Sequence, residues 1–193
     1  MSAVEELLVV HHAGRTTPFV ASARRSLSWF GGPRVRTVRG AAHGPRALHA
    51  IAALSPEHVL ALRAPLPGSV LPLVYGLAYD ACELEYAYDL DAIELASIAP
   101  ARSEDDWPYP HYPELLPYVP VEPGAPRAES WDAFAARFGG LARAAEAELV
   151  VVVPPPATIG QSLWGPDGDA EGATIVFACS PRERRVSAWN VCA

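Results

Sequence analysis

Between Cys82 and Tyr88 the side chains alternate without a break. Cys82, Leu84, Tyr86 and Tyr88 form one set, with Glu83, Glu85 and Ala87 between them. A helix would scatter these two sets around its circumference, whereas a strand sends them to opposite faces. One face then enters a core and the other meets water, the pattern of an antiparallel sheet with a solvated side. Neighbouring segments extend the reading. Val70–Tyr79 is a strand weakened by Pro72 and Gly76, which point to an edge or a bulge. Ala92–Ile98 is a third strand, and the three together predict a meander. Val4–His11 and the wholly apolar Leu149–Val153 read as buried strands, and Arg34–Val38 as a strand with one wet face. Thr174–Cys179 and Arg185–Val191, joined by the short Ser180–Arg184, predict a C-terminal hairpin.

Other stretches carry a helical period. Thr17-Pro18 resembles an N-cap followed by proline at the first helical position. Phe19, Val20, Ala23, Leu27 and Phe30 then share one helical face, which Gly31-Gly32 ends. Pro45–Leu54 predicts a second helix with Leu48, Ile51 and Ala52 inward, and Ser55-Pro56 caps a short third one through Arg63. Ser130–Leu149 carries a stripe of Trp131, Phe134, Phe138, Leu141 and Ala145. Gly139-Gly140 inside it costs about 1 kcal/mol per glycine relative to alanine, so a kinked helix or two helices are expected. Strands and helices mix rather than alternate, and no repeat recurs at a fixed period. The expected fold class is therefore α+β over a single domain, 1–193. It has a mainly antiparallel sheet with a central meander and a C-terminal hairpin, three to four packed helices, and one long Pro-rich arm.

Charge bounds the partners. All 15 basic residues are arginine, and Asn190 and Gln161 are the only amides, a composition that points to a GC-rich, bacterial source. The net charge of −7 argues against nucleic-acid binding. Acids concentrate between Asp80 and Glu122, where Arg102 is the only basic residue. Cys82, Cys179 and Cys192 are too widely spaced for a disulfide framework or a Cys-x-x-Cys site. The first residues, Met-Ser-Ala-Val-Glu-Glu, lack a basic leader, and no apolar run is long enough to cross a membrane as a helix. A cytoplasmic protein without a membrane span is expected.

Catalytic and metal patterns are weak. Ser162, in Gly160-Gln161-Ser162-Leu163-Trp164-Gly165, departs from the Gly-x-Ser-x-Gly turn because its second glycine is one residue late. Residues 154–159 also separate it from the preceding strand, and no histidine follows it. His11 and His12, adjacent on a strand, point to opposite faces, and no His-x-x-x-His spacing occurs, so no metal and no cofactor is expected. A thiolate at Cys82 is disfavoured by Asp80 and Glu83. Glu83 and Glu85 share a strand face about 6.6 Å apart, a separation compatible with paired carboxylates but shared by any solvated strand bearing two acids.

Pro100–Pro126 stands apart. Glu104, Asp105, Asp106, Trp107, Tyr109, His111 and Tyr112 are interleaved with prolines, and Pro117, Pro120, Pro123 and Pro126 follow at a spacing of three, the period of a polyproline II arm. Its aromatics either pack on the chain's own core or form a recognition surface, with the acids suited to an Arg/Lys-rich partner. The favoured expectation is a non-enzymatic module that binds a basic protein through Glu104, Asp105, Asp106, Trp107, Tyr109, His111 and Tyr112, as a toxin-neutralising or adaptor protein would. The alternatives are a small hydrolase or transferase built on scattered groups such as Glu83, Glu85 and His111, and a homo-oligomeric structural subunit.

Overall fold

The computed structural model describes residues 5–34, 36–40, 48–63, 69–77, 82–99, 115–154 and 174–191. Among them thirteen strands join in one sheet. They are β1 (Leu8–His12), β2 (Arg15–Ala21), β3 (Ser28–Phe30), β4 (Thr37–Gly40), β5 (His49–Leu54), β6 (Leu71–Tyr75), β7 (Glu83–Tyr88), β8 (Ala92–Ala99), β9 (Val119–Pro123), β10 (Arg127–Ala128), β11 (Leu149–Val153), β12 (Thr174–Ser180) and β13 (Arg185–Val191). Their spatial order is β4-β8-β7-β13-β12-β11-β1-β2-β9-β3-β5-β6, with β10 beside β2. The β4–β8 pair is parallel and the other pairs are antiparallel.

This overturns the α+β expectation of three to four helices. One α-helix, α1 (Trp131–Phe138), occurs among the described residues, accompanied by 3-10 turns at Leu60–Leu62 and Ala142–Ala144. The segment read as a helix from Pro18 to Phe30 is instead β2, a connection and β3. Phe19 and Thr16 are buried on β2, and Ser28 and Phe30 on β3. Of the second expected helix, His49–Leu54 is β5, whose alanines lie between β3 and β6; ladder pairing here outweighs the helical propensity of alanine. The long helical stripe resolves into α1 and a 3-10 turn. Ser130 Oγ accepts from Ala133 N–H at its start, and Gly139 and Gly140 take positive φ after its end.

The meander is half right. β7 and β8 form a hairpin, but β6 pairs with β5 at the far end of the sheet. The sheet coils until its two ends meet. The Tyr86 hydroxyl on β7 donates to the Pro72 carbonyl (2.8 Å) and accepts from Val74 N–H (3.3 Å), so main-chain groups of the edge strand β6 are bonded across the core. Arg36, buried beside β4, donates to the carbonyls of Val70 and Asp89 and to Ser69 Oγ, fastening the same seam.

The four valines after Leu149 are now explained. Leu149, Val151 and Val153 face the main core inside the coil. Val150 and Val152, with Val9, Val176 and Trp189, face a second core capped by Phe134 of α1. A strand buried on both sides has no reason to alternate.

Of the four prolines at a spacing of three, Pro120 and Pro123 lie in strand β9, and Pro117 and Pro126 flank it outside any strand. β9 runs between β2 and β3. Pro120 turns its carbonyl to Ser22 N–H, just past the end of β2, and Pro123 pairs with Phe19 where β3 has already ended. Each missing N–H therefore falls where no ladder partner stands.

Candidate acidic binding face

β7, β8, β12 and β13 turn one face into the main core, and the other looks outward except where Val176 and Trp189 enter the second core. The outward face holds a shallow cleft of about 460 Å³ lined by Glu85, Glu94, Glu183 and Arg185 among small side chains. The register accounts for its shape. Across the ladder Glu94 stands opposite Ala87, Ala87 opposite Arg185, and Arg185 opposite Ser180. The next row reads Ser97, Glu85, Ser187, Ala178. Long charged residues thus neighbour alanine and serine across the strands, and the small positions form the floor.

A β-bulge bends this face. Pairing steps from Glu85↔Ser97 to Tyr86↔Leu95, which leaves Ala96 as an extra residue. The sequence carries its trace: Ile93, Leu95 and Ile98 point inward, so the period of two slips by one between Leu95 and Ile98.

The cleft glutamates are exposed, and none of the three is in an ion pair among the described residues. Glu83, beside them on β7, is different. Arg143 donates to both of its carboxylate oxygens (2.6 and 3.0 Å), and these bonds hold its carboxyl below the usual range. Arg143 also lies 5.1 Å from the centre of the Trp189 ring. Both partners are more than half exposed, at 52% and 60%, so the pair is worth at most about 1 kcal/mol, but it takes Glu83 out of general-acid chemistry. At the β7–β8 turn the N–H groups of Ala92 and Asp91 (2.6 and 2.8 Å) keep the Asp89 carboxyl ionised below its ordinary range.

Cys82 and His11 are spent on structure. Burial, assisted by the Glu83 charge, pushes the Cys82 thiol up to about 12, in the direction its acidic neighbours predict although burial is the larger cause. His11 is buried against Phe134 (ring centres 4.5 Å apart) with Nδ1 3.1 Å from Thr16 Oγ1, and desolvation lowers its pKa below the ordinary value. No group of three or more metal-ligating side chains converges among the described residues.

The seven residues singled out in the sequence, Glu104, Asp105, Asp106, Trp107, Tyr109, His111 and Tyr112, lie outside the described residues, as do Ser162 and the rest of its loop. The flanks of the acidic-aromatic segment are placed. It departs after Ala99, which pairs with Glu83, and returns through Leu115 to a buried Leu116. There Gly31 and Gly32, both at positive φ, let the returning chain pass closely. A Cβ on Gly31 would stand within van der Waals overlap of the Pro117 carbonyl, and one on Gly32 would lie 2.9 Å from Tyr118 Cδ2. Tyr118 stays half exposed beside Trp29. Sequence reasoning found Glu85 and the acidic stretch that holds Glu94, but missed Glu183 and Arg185, which reach the cleft only through the β13–β7 pairing.

No protein-family model matches this chain, and neither a curated protein nor a solved structure shows significant similarity to it. Among the described residues no helix is long and apolar enough to cross a membrane.

Proposed function

We propose that this protein is a non-enzymatic binding module of a bacterial cytoplasm that engages a basic protein partner, in the manner of a toxin-neutralising or adaptor protein. The observation that carries the reading is the outward face of β7, β8 and β13, where three unpaired glutamates surround a concave floor against one arginine. Small floor residues admit a protruding side chain, and unpaired carboxylates on the rim complement guanidinium or ammonium groups. The segment bearing Glu104, Asp105, Asp106, Trp107, Tyr109, His111 and Tyr112 leaves the sheet next to Glu83, at the border of this face, and adds acids and aromatics of the kind interfaces favour. The bidentate Glu83–Arg143 pair counts against the carboxylate-based hydrolase reading.

The test is affinity capture from the native host with three baits: the wild-type chain, Glu85→Arg with Glu94→Arg, and Asp105→Arg with Asp106→Arg. A basic protein held by the wild type, released by raised salt and weakened at least tenfold by either charge reversal is the expected result, since like charges across an interface cost several kcal/mol. Identical capture by all three baits, with circular dichroism confirming that each is folded, overturns the proposal.

A further inference from the structure

A second cleft, of about 380 Å³, opens at the end of the β1–β2 hairpin. Val10 and His12 of β1 project from the face of the sheet that elsewhere lines the main core, opposite Thr17 and Arg15 of β2. The segment from His58 to Ala61 and Pro126 form the other wall. The volume is within the range of small-molecule sites, and the lining is mostly apolar, from Val10, Val59, Leu60, Ala61 and Pro126. Leu60 is 71% exposed, an apolar side chain left in water at this cleft.

Its polar groups are few, and the one permanently charged group among them is a cation. Arg15 is exposed and pairs with no carboxylate among the described residues, and no acid lines the cleft. Both imidazoles are anchored through Nδ1. His12 Nδ1 lies 2.7 Å from the Glu148 carbonyl, which can only accept, so Nδ1 carries the hydrogen. His58 Nδ1 lies 2.8 Å from Ser28 Oγ, which already accepts from Ser55 N–H at 2.9 Å. In the tautomer in which the Ser28 hydroxyl donates its hydrogen to Nδ1, Nε2 of His58 is the protonated, donating nitrogen.

We propose that this cleft binds a small amphipathic carboxylate, its chain on Val10, Val59, Leu60 and Ala61 and its carboxylate met by the Arg15 guanidinium and the His58 Nε2–H. The site is separate from the acidic face and does not rest on the function proposed for it. An apolar body without a charge leaves Arg15 unused, and a cationic head meets Arg15 as a like charge, so the chemistry selects an anion.

The experiment is calorimetric titration of the intact protein with octanoate, hexanoate, octanol and octylammonium, with methyl chemical shifts locating the contact. Octanoate is expected to bind about fourfold more tightly than hexanoate for each added methylene, and at least tenfold more tightly than octylammonium. It should also perturb the methyls of Val10, Val59 and Leu60. Arg15→Ala, at an exposed position that leaves the core intact, should weaken octanoate about tenfold without changing octanol. Ala61→Phe, which fills the cleft, should abolish binding of all four. Absence of octanoate binding at millimolar concentration, equal affinity for octanoate and octylammonium, or octanoate binding indifferent to Arg15→Ala overturns the proposal.

Discussion

The two clefts are similar in size and opposite in kind. The one on β7, β8, β12 and β13 lies on the outward face, floored by alanine and serine and rimmed by glutamate. The one at the β1–β2 hairpin lies where the inward face runs past the end of the core, and it is apolar with an arginine beside it. The difference follows from the period of two. A strand segregates its chemistry by face, so one sheet offers polar recognition where its outer side is bent and an oily recess where its inner side is left uncovered. The outer cleft is suited to a macromolecule that lies on it, the recess to something small that enters.

The largest expected effect tests whether the two belong to one cooperative unit. Phe134 is fully buried on Val9, Val150, Val152 and Val176, valines of β1, β11 and β12. β12 contributes to the acidic cleft and β1 to the apolar one. Phe134→Ala should cost about 3–5 kcal/mol, and thermal denaturation followed at both clefts should show a single coincident transition. Two separate transitions would break the comparison into two independent parts.

A smaller effect should separate them. Ser28 is buried and holds both Ser55 N–H and the His58 ring. Ser28→Ala leaves the amide unsatisfied and the imidazole unanchored, at a cost of about 1–3 kcal/mol measured by urea unfolding. Capture of a basic partner should be unchanged and octanoate binding weakened. Loss of both, with the fold retained, would contradict the separation of the sites.

The smallest effect on stability concerns the bulge. Removing a residue from mid-strand normally exchanges the two faces, but deletion of Ala96 leaves Leu95 next to Ser97 and restores Ile93, Leu95 and Ile98 to strict alternation. Stability should change by about 1 kcal/mol or less, while the straightened strand flattens the cleft and lowers affinity for the basic partner. A deletion variant that unfolds would show that the bend, and not only the face pattern, sustains the sheet.

What could be read in the sequence follows from how local its cause was. Leu149–Val153 and the Thr174–Val191 hairpin were legible because burial on both faces, or a short turn between apolar runs, is written in adjacent residues. The alternation at Cys82–Tyr88 placed Glu83 and Glu85 outward correctly. Phe19, Val20, Ala23, Leu27 and Phe30 satisfied a helical period by coincidence, since they belong to two strands and the connection between them. Pro120 and Pro123 argued against a strand, and only the staggered ends of β2 and β3 reveal why they are tolerated. Of the acidic cleft, Glu85 and Glu94 lay within a visibly acidic stretch. Glu183 and Arg185 join them through a pairing that no local pattern announces. The apolar cleft draws on residues near positions 10, 60 and 126 and left no local signal.

The place of β1 in the sheet also bears on how the chain is made. Val9 pairs with Val152, a closure spanning roughly 140 residues, for which the entropic cost grows only slowly with length but the waiting time does not. At ordinary rates of synthesis the first hairpin spends on the order of ten seconds with one long edge open before its neighbour emerges. The nascent chain thus carries a sticky ribbon until β11 emerges. Chaperone demand and inclusion-body formation should track elongation speed more closely than the stability of the finished molecule.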